Sequence, residues 1–184
     1  MSSILIIGCG SIGERHLRCF QKTGRCTVTA CDTNPALLAA MRERYDAAGF
    51  ATLDEALAAS TYDAAVICTP AHLHLPMAKR LLDLGLHLFI EKPLAIDESL
   101  VPEVRAAIAA ADRFVAVAYV YHLMPWIQQA RAFLQTGEIG RVLQATSVSG
   151  QHFPTFRPAY REIYYTRRET GGGVIQDRLM HVET

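Results

Sequence analysis

Ser2-Ser-Ile-Leu-Ile-Ile-Gly-Cys-Gly-Ser-Ile-Gly-Glu14 is the stretch that decides the fold. Ile4 to Ile7 form an apolar run too short for a helix and rich in β-branched residues. Such a run reads as a strand buried on both faces, the habit of a parallel sheet. Gly8, Gly10 and Gly13 follow in the spacing G-x-G-x-x-G, and a helical pattern of Ile12, His16, Leu17 and Phe20 opens inside the motif. In that spacing Gly8 permits a tight turn, Gly10 lets a pyrophosphate approach the backbone, and Gly13 lets the helix pack on the strand. The helix N-terminus then offers free N–H groups and a partial positive charge to phosphates. A glycine-rich structural turn is the plain alternative, but both flanks fit a nucleotide site. The second apolar run, Cys26-Thr-Val-Thr-Ala-Cys31, ends in Asp32. That is about 20 residues past the glycines, where an acidic side chain holds ribose hydroxyls.

The 184 residues suit one large domain, or one domain with part of a second. Eighteen basic and eighteen acidic residues cancel, which argues against a nucleic-acid or membrane surface as the main partner. The N-terminal apolar run has no basic flank before it, so a signal peptide is not expected. No stretch reaches the length of a membrane span. Cys9, Cys19, Cys26, Cys31 and Cys68 are odd in number and form no C-x-x-C pair. They read as reduced thiols, and a cytoplasmic location is the expectation. Cys9 lies in the phosphate loop, where oxidation would block a nucleotide; a small residue that fits is the simpler reading.

Beyond Asp32, Leu37, Leu38 and Met41 predict a helix from Pro35 to Tyr45, with the proline in its first turn. Thr52-Leu-Asp-Glu55 has the form of a capping box opening another helix. Ala64 to Cys68 reads as a buried strand, and Pro70 opens a helix through Leu84 that Gly85 stops. Leu86 to Ile90 is the next strand, with Glu91-Lys-Pro93 at its C-terminal end. Asp97 caps an alanine-rich helix to Ala111, and Phe114 to Ala118 is a further strand. Strands alternating with helices predict a doubly wound α/β sheet that binds ligands at the carboxyl ends of its strands. The pattern changes near Tyr119, so residues 1–118 read as one domain and 119–184 as the start of another. There Pro125 to Leu134 is helical, and Arg141 to Ser149 alternates as a half-buried strand of an antiparallel sheet.

These pieces, taken in order, resemble the Gfo/Idh/MocA oxidoreductases. The resemblance rests on Gly8-Cys-Gly-Ser-Ile-Gly13 with His16, then Cys68-Thr-Pro-Ala-His-Leu-His74, then Glu91-Lys-Pro93. Ala118-Tyr119 through Pro125 and the closing Gly171-Gly-Gly with Asp177-x-x-x-His181 complete it. It implies a Rossmann domain followed by part of an α+β domain with a large open antiparallel sheet. It also implies NAD as cofactor, hydride transfer at a sugar or polyol carbon, and a homodimer or homotetramer joined through that sheet. The cofactor-side residues it implies are Gly8, Gly10, Ser11, Ile12, Gly13, Asp32, Thr69, Pro70, His74, Glu91, Lys92 and Pro93. Ala71 stands where the family often has Asn, and His122 where it often has Arg. The chain ends just after Asp-x-x-x-His, where the family continues through most of its sheet, so it reads as an N-terminal portion or truncated form.

Oxidising a secondary alcohol with a nicotinamide needs a hydride acceptor on one face of the carbon and a base for the hydroxyl proton. Asp177 and His181, four residues apart, share one face of a helix. His181 is the candidate base, Asp177 orients it or holds a substrate hydroxyl, and Lys92 donates to the substrate oxygen. Without the resemblance, these would read as a surface Asp–His pair and an ordinary lysine before proline. Cys68, His72 and His74 have ligand-like spacing, yet a strand-to-helix turn seldom aims three side chains at one point, so no metal is expected. Tyr119, His122, Arg157 and Tyr160 are the substrate-side candidates, the latter two in a loop that interleaves aromatics with cations. Asp32 favours NAD, because its carboxylate repels the 2′-phosphate of NADP. Two rivals stay open: a redox-assisted glycoside hydrolase of the same fold, and a non-catalytic NAD-binding regulator or inactive fragment.

Overall fold

The computed structural model describes residues 1–146, 148, 150, 153–156, 166–170 and 172–173. Its centre is a sheet of six parallel strands: β1 (Ser2–Ile7), β2 (Cys26–Cys31), β3 (Ala48–Phe50), β4 (Ala64–Ile67), β5 (His87–Ile90) and β6 (Val115–Val117). They lie in the order β3-β2-β1-β4-β5-β6. The chain moves outward one way from β1 and then the other way from β4, so a crevice opens at the carboxyl ends of those two strands.

The apolar run of β1 serves two cores at once. Ile4 and Ile6 pack with Leu17, Val28, Ala30 and Met41, on the face covered by α1 (Ser11–Lys22) and α2 (Pro35–Tyr45). Leu5 and Ile7 pack with Ala56, Leu75, Leu81 and Val104, on the face of α3 (Leu53–Ala59), α4 (His74–Asp83) and α5 (Val101–Ala111). A strand covered on both sides leaves no polar face, which is why its sequence does not alternate.

Local chemistry sets the helix ends. Asn34 accepts the Ala36 N–H at 2.9 Å, with Pro35 at the first helical position of α2. Thr52 and Glu55 form the reciprocal capping box of α3. Elsewhere the structure departs from expectation. The helix expected from Pro70 starts as a single turn (Ala71–Leu73) and becomes regular at His74. Asp97 does not cap α5; it accepts the Ser99 N–H at 2.9 Å in a turn, and the helix begins at Val101.

The chain divides after Ala118 into two compact units, Met1–Ala118 and Tyr119–Thr184. In the second, α6 (Pro125–Gln135) presents Trp126, Phe133 and Leu134 as exposed side chains. A one-turn α7 (Phe153–Phe156) stands where sequence predicts a loop. Of the expected strand over Arg141–Ser149, Arg141 to Thr146 pair with no strand among the described residues, and Ser147 and Ser149 lie outside them. Alternation makes a strand only where a neighbour supplies ladder partners.

The glycines of the first loop set the spacing of the first layer. A Cβ at Gly13 would stand 1.8 Å from the carbonyl oxygen of Gly8, which no relaxation of side chains can cure. At Gly10, with φ −62°, a Cβ would meet nothing within 4 Å. Gly13→Ala should therefore lower the unfolding free energy by about 3 kcal/mol or more, and Gly10→Ala should leave it within about 1 kcal/mol of wild type. Urea denaturation of the two variants checks the contrast.

Candidate functional site

The loop between β1 and α1 turns sharply at Gly8, whose N–H donates to the Cys31 carbonyl at 2.8 Å and whose φ is +90°. A Cβ there would also sit 2.7 Å from the Cys68 carbonyl oxygen. Gly8 and Gly13 are thus used up in packing α1 against β1 and β4. Gly10 is not: neither its conformation nor any protein neighbour calls for glycine, and it stands exposed at the crevice. It is also the N-cap of α1, with no side-chain cap. The first-turn N–H groups at Ser11, Ile12 and Gly13 therefore face the crevice with no side chain covering them, the arrangement that suits an anion.

Asp32 stands at the end of β2 beside this loop. Its Oδ2 accepts the Cys9 N–H at 2.6 Å and its Oδ1 accepts the Asn34 N–H at 2.7 Å. Both oxygens are anchored by backbone, yet each keeps a lone pair for a ribose hydroxyl. The carboxylate cannot swing aside to admit a second anion without breaking two hydrogen bonds.

Across the crevice lie Thr69 and Pro70, after β4, and Glu91, Lys92 and Pro93, after β5, with a cis peptide between Lys92 and Pro93. His74, expected on the cofactor side, is 1% exposed and lies between two loops. Its Nδ1 faces the Pro93 carbonyl at 2.8 Å and its Nε2 the Thr69 carbonyl at 2.7 Å. Both nitrogens face backbone carbonyls, and in the neutral ring the one that carries the hydrogen donates to its carbonyl. Its local spacing to Thr69 carried no sign of this, because the partner Pro93 is remote in sequence. Glu91 is also buried, and its Oε1 meets His16 Nε2 at 2.7 Å. Sequence placed His16 on the first helix without a partner; the structure pairs it with the strand beyond.

The cysteines at this edge are inert. Burial first, and Asp32 second, push the Cys9 thiol up to about 12 and the Cys31 thiol up to about 11. Burial likewise raises Cys68 well above the thiol range, with Glu91 adding to it. The thiolate is the reactive form, so burial and this upward shift both favour reading Cys9 as a small residue that fits. Among the described residues no group of His, Cys, Asp and Glu could hold a metal. No helix among them is long and apolar enough to cross a membrane. Of the substrate-side candidates, Tyr119 is half-buried and His122 exposed. Arg157, Tyr160, Asp177 and His181 lie outside the described residues.

A parallel sheet with this strand order, an open glycine at the β1 loop and an acid at the end of β2 defines an NAD-binding Rossmann domain. Residues 2–122 match the family model described as "Oxidoreductase family, NAD-binding Rossmann fold", and the chain belongs to this Gfo/Idh/MocA family. Inositol 2-dehydrogenase of Rhizobium meliloti (strain 1021) is 27% identical over 177 residues, which are 96% of this chain and 51% of that protein. The WlbA dehydrogenase of Bordetella pertussis, solved in complex with NADH and UDP-GlcNAcA, superposes with a TM-score of 0.81 at 25% identity, covering 99% of this chain and 55% of that one. The myo-inositol 2-dehydrogenase of Lactobacillus plantarum shares the fold, with a TM-score of 0.73 at 23% identity over 77% of this chain and 43% of that one. The chain spans about half the length of the curated relatives it matches.

His74 gives the site a pH dependence that can be measured. Burial holds its ring below the ordinary histidine value of 6.5, against the upward pull of the Thr69 and Pro93 carbonyls. The unfolded chain therefore takes up this proton at a higher pH than the folded one. Stability from His74 is complete above pH 6.5 and falls as the pH drops below that value, until the folded value is reached. The slope in that window is at most about 1.4 kcal/mol per pH unit. Urea unfolding between about pH 7 and pH 5.5 should show the fall in the wild type and a flatter profile in His74→Gln; equal slopes would contradict it.

Proposed function

We propose that this chain works as an NAD-dependent dehydrogenase, moving a hydride between NAD and a secondary alcohol of a sugar, polyol or sugar derivative. The observation that carries the nucleotide part is Gly10: a glycine that packing does not require, at an uncapped helix start, beside an anchored carboxylate. The substrate class is supported by the relatives, an inositol 2-dehydrogenase and a dehydrogenase solved with NADH and a nucleotide sugar.

NAD, when bound, supplies the hydride acceptor; the rest falls to the chain's own side chains. The amides of Ser11, Ile12 and Gly13 hold the pyrophosphate beside Gly8 and Gly10. Asp32 takes the ribose hydroxyls. Thr69, Pro70, Glu91 and Pro93 line the opposite wall, and Lys92 donates to the substrate oxygen. His181 takes the hydroxyl proton, Asp177 orients it, and Tyr119, His122, Arg157 and Tyr160 contact the substrate. A 2′-phosphate near Asp32 would place like charges about 4 Å apart, costing roughly 4 kcal/mol at the effective dielectric of a protein surface. Thr33 and Asn34 bring no cation to offset it.

Two readouts test the proposal. In titration NADH should bind at least about tenfold more tightly than NADPH, since tenfold needs only about 1.4 kcal/mol; equal binding would overturn the role of Asp32. Incubated with NAD and a panel of inositols, aldoses and UDP-linked sugars, the chain should form NADH with at least one of them. His181→Ala should slow that turnover by about two to four orders of magnitude, the range for losing a general base. Tight NADH binding with no turnover on any alcohol would refute hydride transfer while leaving the nucleotide site intact.

A further inference from the structure

Helix α1 rests on β1 and β2 and reaches β4, and it meets β5 through the rings of His16 and Phe89. Between α1 and β5 runs an apolar groove of about 250 Å³, lined by His16, Cys19, Phe20, Thr23 and Phe89. His16 spans it at the carboxyl end of the sheet. Its ring meets Phe89 edge-on at 5.3 Å, and its Nε2 reaches Glu91 Oε1 at 2.7 Å. The other Glu91 oxygen, Oε2, accepts the N–H of Lys92 at 3.2 Å. One buried carboxylate therefore joins the second turn of α1 to the backbone of the lysine next to it.

We propose that His16 and Glu91 are positioning residues that tie the phosphate-binding helix to the Lys92 loop and thereby hold the nicotinamide half of the cofactor site in register with the adenine half. The proposal rests on reading the crevice as an NAD site. Asp32, at β2, marks the adenine ribose, and the loop after β1 marks the pyrophosphate, so the remaining half extends over β4 and β5, where Lys92 stands. Removing the His16 donor leaves the Glu91 side chain, only 10% exposed, with the Lys92 N–H as its remaining hydrogen-bond partner among the described residues. A buried carboxylate that loses a partner costs more than the bond itself, and the segment that can move to hydrate it is Glu91–Lys92. The glycine loop and Asp32 are anchored separately, through Gly13 on Gly8 and through the Cys9 and Asn34 amides. Cutting the link should therefore disturb one half of the site and spare the other.

The test is a pair of binding measurements on the 184-residue chain with NADH and with ADP, which lacks the nicotinamide half. His16→Phe keeps the ring against Phe89 and removes the donor; His16→Gln keeps an N–H donor. In His16→Phe the Kd for NADH should rise about tenfold, as expected for loss of a hydrogen bond to a charged group, while the Kd for ADP changes less than about twofold. His16→Gln should bind NADH within about threefold of wild type. Equal weakening of NADH and ADP would mean that His16 merely supports α1, and an unchanged NADH affinity in a folded His16→Phe would mean that it positions nothing; either result overturns the proposal. If His16→Phe fails to fold, an NADH affinity in His16→Gln within threefold of wild type supports the link, and a loss shared with ADP overturns it. A wild-type chain that binds neither ligand would instead refute the NAD site itself.

Discussion

The seating of α1 on the carbonyl group of Gly8 is the contact on which the rest of the molecule depends. With the position-13 Cβ direction only 1.8 Å from that oxygen, helix and strand touch backbone to backbone. Any side chain at Gly13 would lift α1 off β1 and β4, opening the core that Ile4, Ile6, Leu17 and Val66 share. The same contact brings the first turn of α1 to the crevice edge, where its amides can meet a phosphate. Packing and the proposed binding thus draw on one geometric constraint: Gly8 and Gly13 are required by the protein's own contacts, and Gly10 is left open at the crevice.

Around that contact the crevice is held by hydrogen bonds that run from loop to loop. Cys9 and Asn34 amides fix Asp32, His74 sits between the Thr69 and Pro93 carbonyls and donates to one of them, and His16 joins α1 to Glu91. Each such bond contributes only about 0.5 to 1.5 kcal/mol net, somewhat more where a charge takes part. Their greater effect is to order polar groups before a ligand arrives, so that binding does not have to supply that ordering. The chain belongs to an NAD-binding oxidoreductase family, and the crevice supplies the amides and the carboxylate that the proposed cofactor site needs.

What could be read from sequence was what neighbouring residues decide. The strand β1, the glycine loop, the capping box at Thr52 and the span of α2 all rest on residues a few positions apart. The acid at Asp32 was legible because motif and acid are linked by a single strand–helix–strand unit. Features set by distant partners were not. β3 escaped notice because Ala48-Gly-Phe50 is three residues long and gains its ladder only from β2. The buried place of His74 depends on Pro93, and the pairing of His16 depends on Glu91, 75 positions away. Asp97 looked like a cap because it precedes a helical run, but its carboxylate closes a turn with Ser99 first. The alternation of Arg141 to Ser149 states which face would be buried without supplying the neighbour that buries it.

The proposed cofactor site places a dinucleotide along the carboxyl ends of β2, β1, β4 and β5. Amide hydrogen exchange of the chain with and without saturating NADH tests it most directly. Exchange should slow in Cys9 to Glu14, in Asp32 to Asn34, and in the segments at Thr69 and at Glu91–Lys92, with little change in α5 or at the amino ends of the strands. Protection confined to other parts of the chain, or none at all at an NADH concentration that titration shows to be saturating, would contradict it.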